Sequence, residues 1–170
     1  MIYKPLEERN FMKGRNNVQL AVEWDGQWVV THFNLKEFEN ENGWVMIHRS
    51  VIISLTKIRE ELGKLFGEEV EIVITDSTRT PQQLEHLGEK LGWIDEGGVV
   101  ARNSKHLERF GGIAVDFYAR FKQSKKRIAS SSIEMICKKH FDYVKADYAD
   151  GHIHADNRNH IIYELKNKED

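Results

Sequence analysis

The chain has 170 residues, of which 40% are hydrophobic and 31% charged, with a formal net charge of −2. These values suit one compact domain and exclude both a low-complexity tail and a strongly basic nucleic-acid module. A single Cys excludes an internal disulfide framework and a zinc site built mainly from thiolates, so the eight His and the carboxylates must hold any metal.

No internal repeat or Pro-rich linker is visible, and the only prolines are Pro5 and Pro81. Residues 1–170 therefore read as a single domain. Met1 to Pro5 leads into no apolar run, so no signal peptide is visible, and no stretch approaches the roughly 18 apolar residues of a membrane span. Cytoplasmic synthesis and a monomer are the expectation.

In chain order, Val18, Leu20 and Val22 alternate with polar or small residues before Asp25-Gly26 and Trp28-Val29-Val30. Asp-Gly between alternating runs predicts a hairpin, because a type I′ turn needs positive φ at both central residues. Trp24 and Trp28 are expected to pair across it. Val51, Leu55, Ile58, Leu62 and Leu65 recur at helical spacing over residues 51–66, and Gly67 stops the run. Val70 to Thr75 reads as a strand. Thr80-Pro81-Gln82-Gln83 opens a second predicted helix, with Thr80 as cap. Residues 94–111 form a long loop, which in a compact domain is usually functional. Ile113 to Tyr118 is a strand candidate. Ser131 and Glu134 suggest a capping box for a helix that buries Ile133, Ile136 and Cys137. Phe141–Lys145 and His152–Asp156 read as short paired strands. Interspersed helices and strands with short terminal turns predict an α+β fold with a mainly antiparallel sheet flanked by helices.

Between Ala101 and Arg127 there are eight Lys or Arg against Glu108 and Asp116. This stretch is either a solvated basic face or a patch that meets an anionic substrate.

Two segments carry residues suited to chemistry. In Asp150-Gly151-His152-Ile153-His154-Ala155-Asp156, strand geometry puts His152, His154 and Asp156 on one side. In Ile113-Ala114-Val115-Asp116-Phe117, an Asp interrupts an apolar strand and calls for a cation or several donors. His106 lies upstream of the glycine turn. His106, Asp116 and His154 together match the two-His, one-carboxylate pattern of a catalytic zinc site with a position left for water.

Ser104-x-His106, then Gly112-x-Ala114-x-Asp116, then His152-x-His154 resembles the M15-type zinc D-Ala-D-Ala peptidases, which share the hedgehog/DD-peptidase fold. The likeness covers roughly residues 34–158, including Asn34–Phe38, the helix from Val51 and the segment ending in Ser77-Thr78-Arg79-Thr80. The N-terminal hairpin, about residues 16–33, lies outside it. The resemblance implies zinc ligands at His106, Asp116 and His154. It implies that Arg79 contacts substrate and that Ser104 supports the loop or binds substrate. Nine residues separate His106 from Asp116, three more than is usual. Counting back from Asp116 by the usual interval reaches Arg109, which cannot ligate zinc. Many members place an acidic general base three residues before the last His, where this chain has Gly151. His152 matches the version with His two before the ligand, and Asp150 is the reserve candidate. Asp156 either orients an imidazole or pairs with Arg158.

What the resemblance implies is a zinc peptidase acting on peptidoglycan stem peptides, as a carboxypeptidase or related endopeptidase. A bacteriophage lysis or virion enzyme is the expected setting. The alternative is a zinc-containing cell-wall or ligand-binding module of the same fold without turnover. A metal-dependent nuclease, suggested by the His-rich segment and the basic stretch, fits the net charge poorly.

Overall fold

The computed structural model describes residues 18–40, 43, 45–79, 104–107 and 110–160. The helix expected after Thr80 and much of the 94–111 loop lie outside the described residues.

The chain opens with β1 (Gln19–Trp24) and β2 (Gln27–Asn34), an antiparallel ribbon. Asp25 at φ 50° and Gly26 at φ 75° make the turn with two positive φ values, as Asp-Gly predicts. This two-residue turn pairs Trp24 with Gln27 and Trp28 with Glu23. The two tryptophans are therefore not cross-strand partners, and Trp28 is 74% exposed.

A short 3₁₀ turn, Leu35–Phe38, follows and buries Leu35 and Phe38. Helix α1 (Arg49–Phe66) then buries Val51, Ile52, Leu55, Ile58 and Leu62. Gly67 at φ 68° ends it, its N–H returning to the Gly63 carbonyl. Leu65, expected on the buried face, is 61% exposed. The apolar stripe runs instead through Phe66, four residues after Leu62, whose ring meets Phe121 edge-on at 5.4 Å.

Four strands form the main sheet: β3 (Val70–Asp76), β4 (Ala114–Phe121), β5 (Tyr143–Lys145) and β6 (Ile153–Asp156), in the order β3-β4-β6-β5. Every neighbouring pair is antiparallel. The α+β class with antiparallel sheets holds. Helix α2 (Ser130–His140) precedes β5 and buries Ile133, Ile136 and Cys137. Its N-cap is Ala129, not Ser131. The helix starts two residues early, and Ser130 in its first turn donates its hydroxyl to the Ala146 carbonyl at 2.9 Å. Burial pushes the Cys137 thiol up to about 12, so it behaves as a small apolar side chain.

Strand parity separates two faces of this sheet. Val115, Phe117 and Ala119 of β4, with Ile153 and Ala155 of β6, join α1 and α2 in one apolar core. Each such side chain contributes roughly 1–3 kcal/mol on burial, so a one-residue slip in either strand is strongly disfavoured. That fixed register forces Asp116, Tyr118, His154 and Asp156 onto the other face. Among the described residues no helix is long and apolar enough to cross a membrane.

Gly111 and Gly112, at φ 81° and 77°, carry the chain into β4. The Gly112 carbonyl accepts from His48 N–H at 2.9 Å. A Cβ at Gly112 would stand 2.5 Å from the Met46 carbonyl oxygen and 2.8 Å from Ile47 Cα. Both the left-handed conformation and the contact demand glycine here. Gly112→Ala is expected to destabilise the fold by about 2–3 kcal/mol, read as a fall in the urea midpoint with unchanged slope. Gly26→Ala, whose Cβ would meet nothing within 4 Å, bears only the backbone strain and is expected to lose less.

Candidate metal centre

Three separate segments deliver the candidate ligands. Asp116 on β4 stands directly across from His154 on β6. Directly opposed side chains on one face lie about 4.5–5.5 Å apart at Cβ, so the pairing alone brings these two together. His106 arrives from the loop. Its carbonyl accepts from Arg79 N–H at 2.7 Å, and Leu107 bridges to Arg79 in parallel. Leu107 and His106 are both 5% exposed. Thr78, 2% exposed, ties the same segment to the Met46 carbonyl at 2.6 Å. The Ser104 carbonyl accepts from Leu107 N–H at 3.1 Å. The nine-residue interval therefore does not separate His106 from Asp116.

The donor atoms form a nearly equilateral triangle. His106 Nε2 lies 2.9 Å from Asp116 Oδ1 and 3.0 Å from His154 Nδ1, and His154 Nδ1 lies 3.0 Å from Asp116 Oδ1. The outer nitrogens fix the tautomers. His106 donates Nδ1–H to the Ser77 carbonyl at 2.6 Å, and a carbonyl only accepts. His154 donates Nε2–H to Asp156 Oδ2 at 2.9 Å. In their neutral forms both imidazoles thus turn lone pairs toward the Asp116 carboxylate. Three acceptors facing one another repel unless a proton or a metal ion lies among them. A tetrahedral ion with bonds of about 2.0–2.1 Å separates its donors by roughly 3.3 Å, close to these spacings. His106, Asp116 and His154 could hold a metal ion.

With protons rather than a metal among the donors, burial pushes the Asp116 carboxyl up, but hydrogen bonds from His106 and His154 outweigh it and hold the group well below the usual carboxylate range. Burial pushes His154 down, yet its bonds to Asp116 and Asp156 carry it up to about 9. A proton on His154 is thus the competitor that a metal must displace.

Asp156 fulfils both roles expected of it. It receives His154, and it accepts Arg158 Nε at 2.8 Å on Oδ1 and Arg158 Nη2 at 2.8 Å on Oδ2. It is fully buried. Burial raises its carboxyl, but Arg158 and His154 bring it down to about 2. Arg158 in turn stacks on the Tyr143 ring at 3.8 Å. This chain of contacts fixes the ring orientation of His154, as outer carboxylates do for metal-bound histidines.

Arg79 reaches the site in an unexpected manner. A bulge between Ile74 and Asp76 brings Asp76 opposite Asp116. Arg79 donates Nε to Asp76 Oδ2 at 2.6 Å and pairs through Nη2 with the same carboxylate. Its Nη2 also lies 3.7 Å from Asp116 Oδ2. The side chain bridges two facing acids, which shields each from the other. Composition gave no sign of Asp76, although Asp76-x-x-Arg79 is an ion-pair spacing.

His152 stands just before β6. Its Nδ1 meets Asp150 Oδ1 at 2.5 Å, and its Nε2 points to Asp116 Oδ2 at 3.8 Å. The Tyr148 ring stacks on it at 4.0 Å with planes 20° apart. The sequence offered no signal for Tyr148, because its role depends on the turn that folds it back. Of the remaining histidines, His48 caps α1 and His140 bonds Glu61 at 2.8 Å, so both are structural. Arg109 lies outside the described residues. No family model, curated protein or solved structure matches the chain.

Substitution at the triangle should separate ligands from supports. Asp116→Asn and His106→Ala are expected to abolish stoichiometric zinc binding, measured by elemental analysis after gel filtration. Asp156→Asn should retain zinc but weaken its affinity about 10–100-fold in competition with a chromophoric chelator.

Proposed function

We propose that this protein is a zinc-dependent peptidase acting on peptidoglycan stem peptides, with the hedgehog/DD-peptidase fold. One observation carries the reading. Three lone-pair donors converge while their proton-bearing nitrogens are pinned outward, and they occupy the motif positions that the peptidase resemblance assigns to zinc. The donor set of two imidazoles and one carboxylate suits zinc and leaves a coordination position for water. When bound, zinc supplies Lewis acidity that acidifies water and polarises a peptide carbonyl.

The remaining chemistry belongs to the chain. His152 carries its Nδ1 proton toward Asp150, so its Nε2 lone pair faces the site. That nitrogen is placed to accept a proton from the attacking water and return it to the leaving amine. Asp150 acts as the orienting carboxylate rather than as the base, and Tyr148 holds the ring plane. Arg79 uses Nε and Nη2 on Asp76 and Asp116. Its Nη1 hydrogens are the ones available to a substrate carbonyl oxygen, where they stabilise developing negative charge. Ser104 keeps the His106 loop closed.

Mass spectrometry of peptidoglycan digested with and without chelator tests the reading and identifies the bond cut. Chelator-sensitive release of peptide fragments is expected, and zinc-loaded protein that releases none would favour the non-catalytic binding module. His152→Ala is expected to lower kcat about 10²–10⁴-fold with zinc content unchanged.

A further inference from the structure

Three cations of the basic stretch around residues 101–127 are paired within the sheet. Arg120 and Lys125 pair with Glu71, and Lys122 pairs with Glu69. Arg79 is committed to Asp76 and Asp116. Arg127 differs. Among the described residues it makes no ion pair within 4 Å, and its nearest acidic neighbour is Asp150, across the Gly151 turn, whose carboxyl its charge helps to lower. Its guanidinium carbon lies over the Tyr118 ring, 3.9 Å from the centroid. Its backbone is fixed beside β4 by a bridge to Arg120 and by the Ile128 N–H bond to the Ala119 carbonyl at 2.9 Å.

Its position relative to the metal triangle follows from strand parity. Tyr118 is two residues beyond Asp116 on β4 and shares its face, an advance of about 6.8 Å. On the β6 side, Gly151 immediately precedes His152. A Cβ on Gly151 would meet Arg127 Nη2 at 3.6 Å, so the guanidinium sits beside the turn that carries His152. An extended peptide advances about 3.3–3.6 Å per residue. A substrate whose scissile carbonyl lies at the triangle would thus bring a carboxylate one or two residues away to Arg127.

We propose that Arg127, stacked on Tyr118, anchors a substrate carboxylate one or two residues from the bond that is cut, and so sets the preference for acidic stem peptides. The inference rests on the peptidase reading above. A guanidinium held over an aromatic ring loses little further freedom when its N–H fork meets a carboxylate, which suits bidentate binding. Stem peptides offer two carboxylates of this kind, the C-terminal one and that of D-Glu.

The test compares three probes: the stem pentapeptide L-Ala-D-Glu-L-Lys-D-Ala-D-Ala as free acid, its C-terminal amide, and its D-isoglutamine form. Binding is measured by calorimetry on zinc-loaded protein in the His152→Ala background, so that the peptide survives. One amidation should weaken binding about ten-fold, and Arg127→Ala should weaken the free acid to the same degree while leaving that amide unchanged. Arg127→Lys should restore part of the difference. In the active protein the same loss should appear in KM rather than kcat. Zinc stoichiometry and Tm of the Arg127 variants should match the parent, which excludes misfolding as the cause. Equal binding of all three peptides, or an acid–amide difference that survives Arg127→Ala, overturns the inference. Failure of the active protein to hydrolyse any of them overturns the peptidase reading instead, and the binding comparison still decides the role of Arg127.

Discussion

An ionised carboxylate buried in the middle of a sheet is the constraint around which the other parts are arranged. Asp116 is 8% exposed on β4, with a hydrogen-bonded strand on either side. An uncompensated charge in that position costs several kcal/mol. Its two oxygens divide the compensation. Oδ1 faces the two imidazoles, and Oδ2 faces Arg79 at 3.7 Å and His152 at 3.8 Å. Arg79 alone is a fixed positive charge in this set. The imidazoles contribute charge only when they hold a proton or a cation among them. The site therefore favours a proton or a small cation among its donors, and this property follows from burial and valence before any function is considered.

Holding that cation site requires three segments that have no reason to meet locally. The β4–β6 register, enforced by Val115, Phe117, Ile153 and Ala155 in the core, sets Asp116 against His154. The His106 loop is secured by a backbone bond from Arg79 N–H and by the His106 side chain on the Ser77 carbonyl. Ser77–Arg79 is in turn secured through Thr78 to the Met46 carbonyl. Gly112 lets the same Met46–Ile47 segment approach the start of β4 at a distance that no side chain would tolerate. A second tie joins the end of β6 to α1, where Asn157 donates to Ser50 at 3.0 Å while its own N–H reaches the Ile113 carbonyl at 3.0 Å. The ligands sit on short or irregular segments, but each segment is fastened to the sheet or to α1.

Much of this was legible in the sequence because it depends on period-two alternation. His152-x-His154-x-Asp156 and the lone Asp116 in an apolar run each declare a polar face opposite a buried one. The Asp25-Gly26 turn and the Gly67 helix end were equally legible, since both reflect positive φ at a stated residue. What could not be read depended on registers between distant segments. The bulge after Ile74 aligns Asp76 with Asp116 and draws Arg79 between them, so an Arg expected to face substrate also serves as an internal bridge. The hairpin pairs Trp28 with Glu23 because the turn has two residues, although spacing alone put the tryptophans across from each other. Leu65 turns outward because a helical stripe drifts, and Phe66, though it meets the Phe121 ring, also stays exposed at the end of the helix.

A site assembled from residues 106, 116 and 154 exists only in the folded chain. Unfolding scatters the three donors, so an ion bound to them also stabilises the fold by mass action, by about 4 kcal/mol when free ion exceeds Kd a thousandfold. The bonds to Asp116 and Asp156 that raise His154 to about 9 favour a proton on the same lone pair, which exerts a weaker form of the same coupling. Asp156 and Arg158 then have a second consequence. They hold the His154 ring in one orientation whether a proton or a metal occupies Nδ1. The exchange of one for the other needs no movement of the ring. What changes is the charge on the triangle: Arg79, bridging Asp76 and Asp116, remains the constant term, and the cation at the donors supplies the variable one.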